Sequence, residues 1–112
     1  MALYMSRFGY KPEVWAGLIR SPENREESVG LILEQAGCKL RGLWYAFGEG
    51  DGFALIEAPD NTAAAGIAIA IAASGAFSKF ETTPLMTQAE ALDALRFAAD
   101  VHYAAPAEAV HA

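Results

Sequence analysis

A few polar and amphipathic side chains occur in segments of the sequence that are otherwise apolar and have the composition of β-strands. Alternate residues of a strand lie on the same side of a sheet, so side chains of one parity converge on one face. A small number of polar groups in apolar surroundings is typical of a small-molecule site. The residues of this kind that we select as candidate ligand-binding residues are Tyr4, Arg7, Trp44, Tyr45, Glu57 and Glu81.

Two of these candidates, Glu57 and Glu81, are carboxylates that could act as general bases if burial raised their pKa. Arg7 or Lys79 could hold an anionic oxygen of a ligand. The same charges also have a structural interpretation, because charged strand residues often lie at a sheet edge and pair across strands. Trp44 and Tyr45 also have a structural interpretation, as part of a core or an interface. The sequence leaves both interpretations open and assigns no catalytic residue.

Other patterns that could carry chemistry are weak. His102 and His111 have no second ligand at metal spacing, so no metal site is predicted. The glycine-rich segment 48–52 lacks the Lys and Ser/Thr of a phosphate-binding loop, and its Asp-Gly pair between apolar runs favours a hairpin turn with positive φ. Cys38 is the only cysteine, so an intramolecular disulfide is impossible. We expect neither a metal nor a cofactor.

The charge balance argues against two classes of partner. The chain has 112 residues and a net charge of −6, and its eight Lys and Arg are scattered. Binding of nucleic acid or of an anionic membrane surface needs clustered positive charge, so neither is expected.

The longest uncharged stretch, 61–78, contains two glycines and favours a buried helix over a membrane span. The first residues lack the basic and apolar regions of a signal peptide, which predicts a cytoplasmic location.

The candidates must be positioned by four strands, which the apolar and aromatic runs predict at residues 3–10, 38–47, 53–58 and 76–85. Helices are predicted between them. Pro12 suits a first helical position, and Ser21 before Pro22 predicts the N-cap of a second helix that ends near Gly37. A third helix is predicted over 63–74 and is expected to be buried, because its side chains are small. The Thr87-to-Glu90 spacing predicts a capping box for a final helix.

This order predicts an α+β fold of ferredoxin-like βαββαβ type, with a four-stranded antiparallel sheet and an extra C-terminal helix. We assign residues 1–100 to the domain and 101–112 to a loosely ordered tail. Large side chains are predicted on both faces of the sheet, with Leu40 and Trp44 sharing one parity and Leu43 and Tyr45 the other. The face without helices then needs a cover. A second copy of the chain, packed sheet on sheet as a homodimer or part of a higher oligomer, would supply it.

Four segments together resemble the GYD-domain family across about residues 1–100. They are Met1 to Phe8, Trp44 to Glu49, Asp51 to Phe53, and Phe80 to Thr83. The family is named for a Gly-Tyr-Asp feature, but this sequence has Gly50 where the tyrosine is expected, so a role for that tyrosine is absent. The resemblance implies a fold of the dimeric α+β barrel superfamily and implies no defined activity.

The sequence supports three hypotheses for function. In the first, a homo-oligomeric protein binds a small, partly apolar organic molecule in a pocket on the helix-free sheet face. In the second, the chain is a cofactor-free enzyme of monooxygenase or isomerase type, which is a fold-level analogy. In the third, it is a purely structural assembly module without a cavity.

Overall fold

The computed structural model describes residues 1–107 and shows four strands and four helices. The strands are β1 (Ala2–Tyr10), β2 (Lys39–Tyr45), β3 (Gly52–Ala58) and β4 (Phe77–Leu85). They form one antiparallel sheet in the order β2-β3-β1-β4. The helices are α1 (Pro12–Arg20), α2 (Arg25–Gln35), α3 (Asn61–Ala73) and α4 (Gln88–Ala99). This arrangement confirms the predicted ferredoxin-like fold with an additional C-terminal helix.

The helix ends follow local capping chemistry, with one correction. The N-cap of α2 is Asn24, whose side-chain oxygen accepts from the amides of Glu26 and Glu27, so the prediction of Ser21 was wrong. Asparagine and serine suit this position about equally, and here the contacts of the Asn24 side chain mark where the helix begins. Gly37 follows α2 with a φ of +74°, as expected of a glycine that ends a helix.

The glycine-rich hairpin is not the tight turn that its Asp-Gly pair predicted. Positive φ occurs, among the residues described, only at Gly37 and Gly75. The connection between β2 and β3 spans residues 46–51, and Gly52 is already the first residue of β3. A side chain at Gly52 would collide with the ring of Phe8 and lie 2.8 Å from the Trp44 carbonyl oxygen. Close packing, and not backbone conformation, therefore requires this glycine.

The helices cover one face of the sheet and leave the other open. Even-numbered residues of β1 and β3 point towards the helices and are buried, whereas odd-numbered residues are partly exposed on the helix-free face. In β2 the register shifts between Leu40 and Gly42, so Arg41 is an extra residue. This bulge places Leu40 and Trp44 on opposite faces, which corrects the parity predicted for them.

The helical layer is thin. Leu33 of α2 is fully buried and joins Ile56, Tyr4 and Ala64 in the main core cluster. Most of α3 is exposed, including Ile69, so the prediction of a buried helix was wrong for the single chain. Small side chains allow close approach to a sheet, but they do not cover the outer surface of the helix that carries them.

α4 lies apart from the rest of the fold, although its capping box forms as predicted. Thr87 Oγ1 accepts from the amide of Glu90, and the Glu90 carboxylate accepts from the amide of Thr87. The chain spans 59 Å along its longest axis. No helix in the described part of the chain is long and apolar enough to cross a membrane. The division at residue 100 stays a prediction, and residues 108–112 of the predicted tail lie outside those described.

Candidate functional site

A cleft of about 820 Å³ lies between the helix-covered face of the sheet and helices α1, α2 and α3. It exists because the helices spread apart. α2 packs against β2, whereas α3 packs against β4 and β3, and α1 lies beside β1. The surface of the sheet between them stays uncovered and forms the floor.

The walls of this cleft are apolar. The helices contribute aliphatic side chains, and the sheet contributes aromatic rings and small side chains. The apolar residues that define the walls are Val14, Leu18, Val29, Ile32, Ile71, Phe8, Ala54, Ile56, Phe77 and Phe80. Polar groups are few, with Glu13, Ser21, Glu23 and Arg25 also lining the cleft from the helices and their connections. Arg25 and Glu23 pair at 3.6 Å, so their charges largely offset each other.

A serine hydroxyl group lies on the floor of the cleft. Ser6 is 1% exposed, and its Oγ hydrogen bonds with Thr82 Oγ1 at 2.9 Å. A hydroxyl can donate one hydrogen bond and accept two, so this pair retains capacity for a ligand atom. Ser6 belongs to the polar residues of the predicted strands but is not one of the six selected candidates. Its signal was a serine in β1 with the parity of Tyr4, Phe8 and Tyr10, all aromatic.

An aromatic cluster adjoins the cleft, and Tyr10 and Phe77 are the members that line it. The rings of Tyr10 and Trp15 lie 5.1 Å apart, and those of Trp15 and Tyr45 lie 5.2 Å apart. Asp51 fixes this cluster, because its Oδ2 accepts from the Tyr10 amide at 2.8 Å and from Trp15 Nε1 at 3.2 Å. Phe77 extends it across the floor, 5.2 Å from Tyr10. Perpendicular and tilted ring contacts of this kind hold aromatic groups rigidly.

The structure separates the six residues selected from the sequence into two groups. Arg7, Trp44, Glu57 and Glu81 belong to the helix-free face, whereas Tyr4 and Tyr45 lie on the helix-covered side. The six therefore cannot line one pocket. The parity of the strands, which the bulge at Arg41 alters, was the information that the sequence lacked.

The two tyrosines have structural contacts. The hydroxyl of buried Tyr4 donates to Asn61 Oδ1 at 2.6 Å and so fixes the start of α3. The hydroxyl of Tyr45 lies 3.4 Å from that of Tyr10. Desolvation, followed by the hydrogen bond and charge of Tyr10, raises the pKa of Tyr45, so its phenol is neutral at physiological pH. Tyr45 thus packs against Tyr10, which lines the cleft, and does not line it itself.

The charged candidates form ion pairs on the helix-free face. Arg41 lies 3.7 Å from Glu57, and Lys79 lies 3.4 Å from Glu81. The Arg41–Glu57 pair joins β2 and β3 across strands, as the structural interpretation of these charges expects, whereas Lys79 and Glu81 lie on the same edge strand, β4. Neither carboxylate lies in the cleft. A role for them in ligand binding stays a prediction.

Arg7 is held in place by the hairpin. Its Nη2 lies 3.2 Å from an oxygen of Glu49. A side chain at Gly50 would come within 2.8 Å of Arg7 Nε, so glycine at this position leaves room for the arginine. Nε is buried without a hydrogen-bond partner among the described residues.

No cluster of three or more potential metal ligands occurs within residues 1–107. His102 is exposed, and His111 lies outside the described residues. Cys38 is buried, and desolvation together with the charge of Asp60 raises the pKa of its thiol. It is therefore a poor nucleophile at neutral pH.

Comparison with known proteins identifies one family. A family model described as the GYD domain matches residues 4–95 and so covers most of the chain. No curated protein and no solved structure matches the sequence.

Proposed function

The chain belongs to the GYD domain family, and that match names no reaction. We therefore propose the function from the cleft: the protein binds a small, mostly apolar organic molecule between the sheet and α1–α3. The observation that carries this proposal is the cleft's volume of about 820 Å³ in a domain of this size. Ligand pockets typically measure roughly 300–1,000 Å³ and combine apolar walls with a few placed polar groups. The cleft has both properties.

The lining suggests the class of ligand. Aromatic rings at one end and aliphatic side chains along the helices favour a ligand with a flat ring and an apolar remainder. Ser6 on the floor supports one hydrogen-bonding group in the ligand, such as a hydroxyl or carbonyl. The lining has no surplus of positive charge, because Arg25 is paired with Glu23. A neutral molecule therefore fits better than an anion.

This proposal changes the position of the site that the sequence suggested. The sequence-based hypothesis put the pocket on the helix-free face, around Arg7, Glu57 and Glu81. Those side chains are engaged in ion pairs at the surface. The cleft lies on the opposite, helix-covered face, and neither Glu57 nor Glu81 lines it. We therefore propose ligand binding in the cleft and assign no catalytic residue.

We further propose that the helix-free face is covered in a homodimer. Its two central strands present Leu3, Met5, Phe53 and Leu55, which are only partly buried in the single chain. Apolar sheet faces in soluble proteins are normally covered by another layer. A second copy of the chain supplies that layer with the same residues on both sides of a two-fold axis.

A thermal-shift screen tests the ligand proposal. Neutral aromatic and aliphatic alcohols and ketones are expected to raise the unfolding temperature in a concentration-dependent manner, because they bind the folded state only. Matched carboxylic acids are expected to give smaller shifts. A response that is flat across all neutral compounds would contradict ligand binding and favour a purely structural module.

A further inference from the structure

The C-terminal helix α4 is unsupported by its own chain. Every residue of α4 except Ala91 is exposed, including Leu92 and Leu95, the latter at 67%. The radius of gyration is 18.4 Å. A compact domain of this length has a radius of gyration of about 13 Å. The described part of the chain therefore contains a helix that projects away from its body.

A helix in this position needs a partner. Isolated helices shorter than about 12–15 residues are marginal in water even when their composition is favourable. Leu92, Leu95 and Ala99 follow the i, i+3, i+7 spacing of one helix face, so α4 has an apolar stripe that nothing within residues 1–107 covers. Glu90 and Asp93 lie on its other side, and Arg96 lies next to Leu92 at the border of the stripe.

The charge of α4 complements the helix-free face. Residues 88–100 contain three carboxylates and one arginine, a net charge of −2. The helix-free face carries four of the eight Lys and Arg in this acidic chain but only two carboxylates in its strands. The four basic residues are Arg7, Lys39, Arg41 and Lys79.

Within this face the positive charge is in excess at the edge strand β2. Lys39 is opposite Glu57 in the register, and Arg41 is 3.7 Å from the same carboxylate, so two cations share one anion. At the other edge, Lys79 and Glu81 offset each other. Trp44, also in β2, is 54% exposed and offers an apolar surface beside the cations.

We propose that α4 of each chain docks on the β2 edge of a second copy, with its apolar stripe on Trp44 and its acidic side near Lys39 and Arg41. The inference rests on the homodimer proposed above. Within one chain, α4 does not reach the β2 edge. Only Met86 and Thr87 separate α4 from β4, which lies at the opposite edge of the sheet. An exchange between copies brings the two surfaces together.

The proposed interface draws on both α4 and the helix-free face of the sheet. Standard interfaces use about 20–30 residues from each partner. α4 has 12 residues, and the strands contribute alternate side chains from all four strands of the helix-free face. In a two-fold dimer, α4 of each chain docks on the sheet of the other, because a two-fold interface is self-complementary. Each chain therefore contributes both its α4 residues and its sheet residues.

Sedimentation velocity over a concentration series tests the docking. Leu95→Asp is expected to raise the dimer dissociation constant at least about tenfold, because it places a charge in the buried stripe. Ala94→Asp adds the same charge to the same helix, at least about 100° around the axis from Leu92, Leu95 and Ala99, and should not raise the constant. Arg41→Glu should also weaken the dimer, whereas Arg20→Glu, on α1, should not. Circular dichroism of each variant confirms that it is folded.

The outcomes separate the proposals. A wild-type dimer that both Leu95→Asp and Arg41→Glu weaken supports the docking of α4. A wild-type dimer that either variant leaves unchanged overturns the docking as proposed and leaves the dimer of sheet faces. A monomeric wild type overturns both, while the ligand cleft is judged by the thermal-shift screen.

Discussion

Two glycines beside the hairpin control where large side chains lie. The Trp44 ring lies against Gly42 on the helix-free face, where any side chain at residue 42 would collide with it. The Phe8 ring lies against Gly52 on the helix-covered face. Phe8 is buried and packs edge-on to Phe77, 5.6 Å away between ring centres. The floor of the cleft therefore depends on the absence of a side chain at residue 52.

Gly52→Ala is predicted to destabilise the fold by about 1–3 kcal/mol, the range for overpacking a filled site. The added methyl group must displace the Phe8 ring and the Trp44 carbonyl. Gly48→Ala is the matched control, because a methyl group there meets no atom within 4 Å, and its effect should stay within about 0.5 kcal/mol. Urea unfolding followed by tryptophan fluorescence measures both. Equal free energies of unfolding for the two variants would show that residue 52 is not packed in this way.

At the scale of elements, α4 offers a test of its capping box. Hydrogen bonds from the Thr87 amide and with the Thr87 side chain lower the pKa of Glu90. Because the folded-state pKa is depressed, the cap contributes stability above the unfolded pKa and loses it as pH falls through the folded value. The Thr87 amide resonance is therefore predicted to report a titration below the ordinary glutamate range, with helix content falling over the same interval.

Glu90→Gln provides the control for that titration. A glutamine keeps the hydrogen bond to the cap but has no proton to bind in this range. The Thr87 resonance should then be flat with pH apart from effects of other groups. A wild-type titration at or above the ordinary glutamate pKa would contradict the capping geometry.

Local chemistry determined which elements the sequence could predict. The capping box of α4 and the glycine after α2 involve residues close together in sequence, and both formed as expected. The hairpin and the bulge in β2 did not follow from local rules. The absence of a side chain at Gly50 and Gly52 leaves room for Arg7 and Phe8, which are more than 40 positions away in the sequence. The start of α2 was missed because two adjacent segments, at Ser21 and Asn24, both suited an N-cap.

At the scale of the whole molecule, the main unpredicted feature is the cleft. Its walls are helices whose separation depends on how α2 and α3 pack on different strands, and no motif encodes that separation. The sequence did indicate that both sheet faces carry large side chains. It could not show that the helices leave part of one sheet face uncovered. How much of α3 is buried depends on tertiary packing, which its small side chains do not reveal.

The ligand site and the dimer are both proposed from apolar surface that a single chain leaves uncovered. An open cleft on one face and a projecting helix beside the other leave a single chain with much uncovered apolar surface. Soluble proteins rarely expose large contiguous apolar patches unless these bind something. A ligand covers the first surface, and a second copy of the chain covers the other.

The ligand site in the cleft can be tested by titration with N-phenyl-1-naphthylamine. This neutral, apolar probe becomes more fluorescent when it leaves water. Wild-type protein should bind it saturably, with one site per chain. Ala70→Phe places a ring in the cleft lining and should weaken binding at least about tenfold. Ala72→Phe makes the same change in α3 outside the lining and should bind as wild type does. No saturable binding by the wild type, or equal affinities for both variants, would contradict a ligand site in this cleft.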